Sequence, residues 1–153
     1  MKSLRHPAQQ QEILRRVHLI QPSTERLWGS MSSHQMICHL SDGFRLYMGE
    51  KKAQSVESPV PKWLMAAIAI YMPFPWPHGV ETMRELDQQA GGGTPPEEFT
   101  RDQSELRSLI DRFINLPRDF AWPEHPSLGK FSYNGWMRLA YRHCDHHLRQ
   151  FGV

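Results

Sequence analysis

The sequence predicts an all-α fold, a helical bundle carrying a long Pro/Trp-rich connection. Three observations lead there. Apolar residues recur at intervals of three and four in four long segments and one short one, which places them on single helix faces. Almost nothing alternates with the period of two that a half-buried strand requires. Gly and Pro cluster between the helical segments instead of inside them, so each segment has a stop.

Residues 7–19 read as the first helix, with Ile13, Leu14 and Val17 on its buried face and Gln9, Gln10, Glu12 and Arg16 elsewhere. After a turn at 21–26, Ser32 or Ser33 caps a second helix that runs to about Met48, where Gly49 stops it. Its apolar positions are Met36, Leu40, Phe44 and Tyr47. Residues 51–60 form a polar connection, and 62–72 a short apolar helix. The greasiest stretch there is about half of the roughly 20 residues a bilayer span needs, so it reads as a buried helix or a pocket lid.

Pro73, Pro75 and Pro77 make 73–79 irregular. Gly91-Gly92-Gly93-Thr94-Pro95-Pro96 is the clearest linker. The third long helix is expected over 96–116, with Phe99, Leu106, Leu109, Ile110, Phe113 and Ile114 as its buried stripe. Arg101, Glu105 and Asp111 fall on its solvated face. A Pro-punctuated loop leads to Ser132, the natural cap of a last helix running to about Phe151. No repeat or internal boundary interrupts 1–153, which reads as a single helical domain. The excursion between the second and third long helices is long enough to roof a pocket.

Composition narrows the function. The 153 residues are 39% hydrophobic and 22% charged, the balance of a globular chain. Eighteen Lys and Arg nearly offset sixteen Asp and Glu and form no stripe, so the net charge of +2 gives no reason to expect a nucleic-acid partner. Neither a signal peptide nor a membrane span is expected. Cys38 and Cys144 form no CxxC and read as buried, reduced thiols, which points to the cytoplasm.

The chemistry sits in Arg142-His143-Cys144-Asp145-His146-His147-Leu148-Arg149-Gln150. His143 and His147 are one helical turn apart and can address one ion, and neutral imidazole is the commonest metal ligand. A pairing of His143 with His146 at i, i+3 is the alternative. His39 offers a third imidazole from a facing helix, which with an open position is the arrangement of catalytic zinc sites. Gln150 shares the His143/His147 face and can orient an imidazole. Asp42, three residues after His39, is either a second acceptor for that ring or a solvated helix residue. His34 faces away from His39 and reads as polar surface or pocket rim. Trp63 and Trp76 are read as packing residues, with lining of an apolar pocket as the alternative.

His39 within Met36-Ile37-Cys38-His39-Leu40, followed about a hundred residues later by His143-x-x-x-His147-x-x-Gln150, resembles the DinB/YfiT-like superfamily. The ending from Trp136 to Val153, Trp28-Gly29, and the stretch from His125-Pro126 to Gly129 are similar to its DUF1569 branch. The likeness spans most of the chain outside residues 51–98. It implies an up-down-down-up four-helix bundle with a divalent metal on His39, His143 and His147. Zinc or nickel is expected first, with iron or manganese also compatible with three imidazoles. Relatives in the superfamily include thiol-dependent S-transferases, so the resemblance implies a small-molecule substrate, a low-molecular-weight thiol partner and a homodimer. One fold hosts many chemistries, so two functions stand side by side. One is a metal-dependent transferase or hydrolase, with Arg138, Arg142 or Arg149 available to pair with the thiol's acidic groups. The other is a non-catalytic bundle that binds a metal or ligand.

Overall fold

Each helix begins where its capping chemistry dictates in the computed structural model, which describes residues 1–153. Pro7 opens α1 (Pro7–Leu19) at a position where a missing N–H costs nothing. Ser32 opens α2 (Ser33–Tyr47) with a reciprocal cap: its hydroxyl accepts from the Gln35 amide while the Gln35 side chain accepts from the Ser32 amide. Pro61 precedes the short α3 (Lys62–Tyr71). The Glu98 carboxylate accepts from the amides of Thr100 and Arg101 to start α4 (Phe99–Ile114). Ser132 caps α5 (Tyr133–Gln150). A single 3-10 turn, Arg84–Leu86, interrupts the long excursion, and the one β-bridge pairs His125 with Gly129. The fold is all-helical.

α2 packs along α4, and α5 touches α1, α2 and α3, while α1 also reaches α4. One apolar cluster of 26 buried residues, from Leu4 to Phe151, runs through these contacts, so both chain ends share the core of the middle helices. Phe44, Phe113, Tyr47 and Trp136 form its aromatic centre, with Phe44 and Phe113 5.3 Å apart at ring centroids. Leu86, 2% exposed, inserts from the 3-10 turn and draws the excursion down onto α2. No helix is long and apolar enough to cross a membrane.

Four expectations need correction. Arg16 is buried: its guanidinium reaches Asp145 Oδ1 at 2.7 Å and the Val153 carbonyl at 2.8 Å, tying α1 to the end of α5. α3 is mostly exposed, with Trp63 at 71%, Tyr71 at 55% and only Ala66 and Ile70 buried. It is apolar all round and touches the rest along one narrow side, so hydrophobicity alone did not tell buried from exposed. α4 starts at Phe99 and not at Pro96, because the Pro95-Pro96 pair favours extended backbone before it and Glu98 stays extended to cap. The Gly-rich stretch is no loose linker, since Thr94 is bonded by its amide and its hydroxyl to Asp42, each at 2.7 Å.

The loop before α5 is held by His125, whose Nδ1 accepts from the amides of Ser127 and Leu128, both at 3.2 Å. Burial, helped by the nearby Lys62 charge, pushes this imidazole down to about 4. A native pKa below the ordinary histidine value means the unfolded chain binds the extra proton. The stabilisation is therefore whole above about pH 6.5 and lost as pH falls towards 4, up to about 3 kcal/mol. We expect a His125→Asn protein to be less stable than wild type at pH 7.5, with the gap narrowing towards pH 4.5 in urea unfolding. A gap that stays constant or widens would contradict this.

Candidate metal centre

Three imidazoles converge where α2 crosses α5. His39 comes from the middle of α2, and His143 and His147 project from one face of α5. Their side chains are buried, with exposures of 4%, 9% and 9%. The ring centroids stand 5.1, 4.7 and 4.9 Å apart, and the planes are 71° to 79° from one another, so edges face inward. His39 Nε2 and His143 Nε2 are 3.1 Å apart, and the three donor nitrogens all lie within 4.8 Å of each other.

The outer nitrogen of each ring is engaged. His39 Nδ1–H donates to the Leu86 carbonyl at 2.9 Å, which leaves a lone pair on Nε2. Gln150 Nε2 donates to the Trp28 carbonyl at 2.8 Å, which turns Gln150 Oε1 towards His147. Nδ1–H of His147 therefore donates to that oxygen at 2.9 Å, and its Nε2 lone pair also faces inward. His143 Nδ1 meets the Tyr47 hydroxyl at 2.8 Å, a group that can accept or donate. Orientation of the metal-facing nitrogen through the other one is how imidazole ligands are held in metal sites.

The donor set fits a divalent ion. At metal–nitrogen distances of about 2.0–2.1 Å and angles between about 90° and 110°, imidazole nitrogens stand roughly 2.9–3.4 Å apart, which the 3.1 Å pair already meets. Burial drives the pKa of all three rings down, well down for His143 and His147, where neighbouring imidazoles add their repulsion. The rings are thus neutral, the form that binds metal.

Of the two pairings open on α5, His147 and not His146 joins His143. His146 is half-buried at the rim, edge-on to Trp28 and beside Trp76. Gln150 orients His147 as its spacing suggests. Asp42 does neither of the things expected of it. It is fully buried, and its oxygens serve Thr94, Lys51 at 2.9 Å and Arg45 at 3.2 Å, while the acceptor for His39 is the Leu86 carbonyl. Burial alone would raise its pKa, but the Thr94 bonds and Lys51 outweigh that and hold it below the ordinary value. Cys38 and Cys144 are buried free thiols turned away from the imidazoles, both pushed up to about 12, chiefly by burial.

Sequence reasoning missed the residues that make room and supply acceptors. Gly43 lies one turn after His39, and a Cβ there would stand 3.0 Å from His143 Cε1. Gly29 adopts φ +78°, and a Cβ there would stand 2.3 Å from Gln150 Nε2. Tyr47 was legible as core only, although His39, Gly43 and Tyr47 recur every four residues on one face.

The excursion roofs the imidazoles. Trp76 lies over His143 with centroids 6.0 Å apart, and His78 stacks on Trp28 at 4.0 Å. Arg142 donates to the carbonyls of Met72 and Phe74, which pins the strap to α5. Arg138 lies over the Tyr71 ring and Arg149 faces Asp145, so neither they nor Arg142 points a free cation at the imidazoles. Trp63 is exposed and takes no part. An open groove of about 660 Å³ lies elsewhere, lined by Ser55, Val56, Lys62, Met65 and Ser127 among others. Compared with protein-family models, curated proteins and solved structures, the chain matches none of them.

Proposed function

We propose that this chain is a metal-dependent enzyme built on a DinB/YfiT-like four-helix bundle of the DUF1569 type, holding one divalent ion on His39, His143 and His147. The convergence of three neutral imidazoles whose outer nitrogens are all engaged carries the reading. The closed circuit of contacts from α1 to α4, α2, α5 and back supports the bundle. The lone pairs of His39 and His147 face each other across a space that only one imidazole proton, on His143 Nε2, can fill. A cation resolves that conflict.

A divalent ion here supplies Lewis acidity, which turns a water or a low-molecular-weight thiol into a nucleophile near neutral pH. The chain's own groups orient and enclose. Leu86 and Gln150 fix two tautomers, the Tyr47 oxygen accepts from His143 Nδ1–H when Nε2 faces the ion, and Trp76 excludes water from above. A small-molecule substrate enters where the strap lifts. The second reading, a non-catalytic metal- or ligand-binding bundle, is favoured by that roof and by the lack of a free cation beside the imidazoles.

Elemental analysis of untagged protein beside a His143→Ala/His147→Ala variant tests the site, and about one equivalent of zinc or nickel is expected to be lost in the variant. Protein that is metal-free and fails to bind added zinc or nickel would overturn the proposal. Turnover in a thiol-transfer or ester-hydrolysis screen, absent from a His39→Ala control, separates the enzyme from the binding bundle. Gln150→Leu frees the His147 ring to rotate and should weaken zinc binding about ten- to a hundredfold by competition with a chelating dye. An unchanged affinity would remove Gln150 from the site.

A further inference from the structure

On the opposite side of α2 from His39, a second set of donors comes together. His34 and Cys38 are one turn apart on α2, and Asp102 sits in the first turn of α4. His34 Nε2 is 2.8 Å from Asp102 Oδ2, and Cys38 Sγ is 3.8 Å from the same oxygen. The three donor atoms lie within 4.8 Å of one another. They are also held in place: the Glu97 amide donates to Asp102 Oδ2 at 2.9 Å, and the His34 ring stands edge-on to Phe99 at 5.2 Å.

We propose that His34, Cys38 and Asp102 form a second, sulfur-containing site for a zinc-class divalent ion, independent of the three-imidazole centre. Zinc holds sulfur at about 2.3 Å and nitrogen or oxygen at about 2.0–2.2 Å, so its ligands stand roughly 3.3–3.6 Å apart. Reaching that geometry needs the His34–Asp102 pair to open by about 0.5 Å and the sulfur to approach by about 0.3 Å. His34 is 22% and Asp102 16% exposed at the side chain, which leaves them room to adjust.

Thiolate, carboxylate and neutral imidazole together balance a 2+ ion, and the thiolate selects against magnesium and calcium. The ion replaces the Cys38 thiol proton, which leaves to solvent, and His34 carries its single proton on Nδ1 instead of Nε2. The Arg101 guanidinium, 3.6 Å from Asp102 Oδ1, and Arg45 on the same groove are the cations to be displaced or tolerated. A polar groove of about 460 Å³ lined by Thr94, Glu97, Arg101 and Asp102 among others connects the carboxylate to solvent and leaves a coordination position for water.

Cobalt(II) tests this, because thiolate ligation gives an intense near-ultraviolet charge-transfer band that imidazole and carboxylate do not. Titration of the reduced full-length protein with cobalt alone should give that band, saturating at one equivalent per chain in His143→Ala/His147→Ala, where the three-imidazole centre does not compete. It should persist in Cys144→Ser and in His143→Ala/His147→Ala, and vanish in Cys38→Ser. His34→Ala, at a partly exposed position in the first turn of α2, should weaken cobalt binding at least tenfold with unchanged helical circular dichroism. No band in wild type, a band that survives Cys38→Ser, or full affinity in His34→Ala would overturn the proposal. Loss of the band with His143→Ala/His147→Ala in a folded protein would overturn its independence. Because the three-imidazole centre contains no sulfur, either site can fail without the other.

Discussion

A His143→Ala protein should bind zinc or nickel more than about a hundredfold more weakly than wild type, beyond what loss of an orienting group costs. His143 Nε2 stands 3.1 Å from His39 Nε2, and its outer nitrogen meets the Tyr47 hydroxyl. Removing it leaves two ligands from different helices and an opening beside Gly43 that water can fill. The same change should affect the metal-free fold far less, because water in that opening can donate to the inward lone pairs of His39 and His147. The measurement is the rise in Tm on adding one equivalent of zinc, which binding to the native state alone must produce. With Cys38→Ser in both proteins, which removes the sulfur-containing site, the chain that keeps His143 should show it and the His143→Ala chain should not. An equal rise in both would place the metal elsewhere.

Asp42→Ala should destabilise the protein by about 3 kcal/mol, near the lower end for breaking a buried charge pair because Lys51 and Arg45 are partly exposed. The carboxylate is fully buried and holds two bonds from Thr94, so its loss frees the 90s loop from α2. For a chain of this size the fall in Tm should be about 6–12 °C. The pH dependence gives a second check. A native pKa below the ordinary carboxylate value means that the contribution is whole above about pH 4 and fades as pH falls through the native value. The gap between wild type and variant should therefore shrink in acid. A loss under about 1 kcal/mol at pH 7 would show that Asp42 is dispensable.

Much of the helical layout was legible because caps and periods are local. Ser32 and Ser132 place two helices within about a residue of their sequence-derived ends, and the stripe Leu106, Leu109, Ile110 and Phe113 marks the buried face of α4. The histidines were legible because a helix turns His143 and His147 to one side whatever surrounds it. Nothing local marks Leu86 as the acceptor for His39, since a backbone carbonyl has no sequence signature. Asp42 was misread for a related reason: its partners, Lys51 and Thr94, belong to loops whose paths are set by tertiary packing. α3 was misread because a helix apolar on every side has no periodic face to announce.

The strap pinned by Arg142 and capped by Trp76 has a consequence in time. Entry to the space among the three imidazoles should be slowed until residues 72–78 lift, and so should exit. Filling would then be first-order and level off at high ligand concentration, and stripping by a chelator would proceed at a rate indifferent to how much chelator is added. A site of this kind can hold its occupant through a transient shortage that would empty an open one.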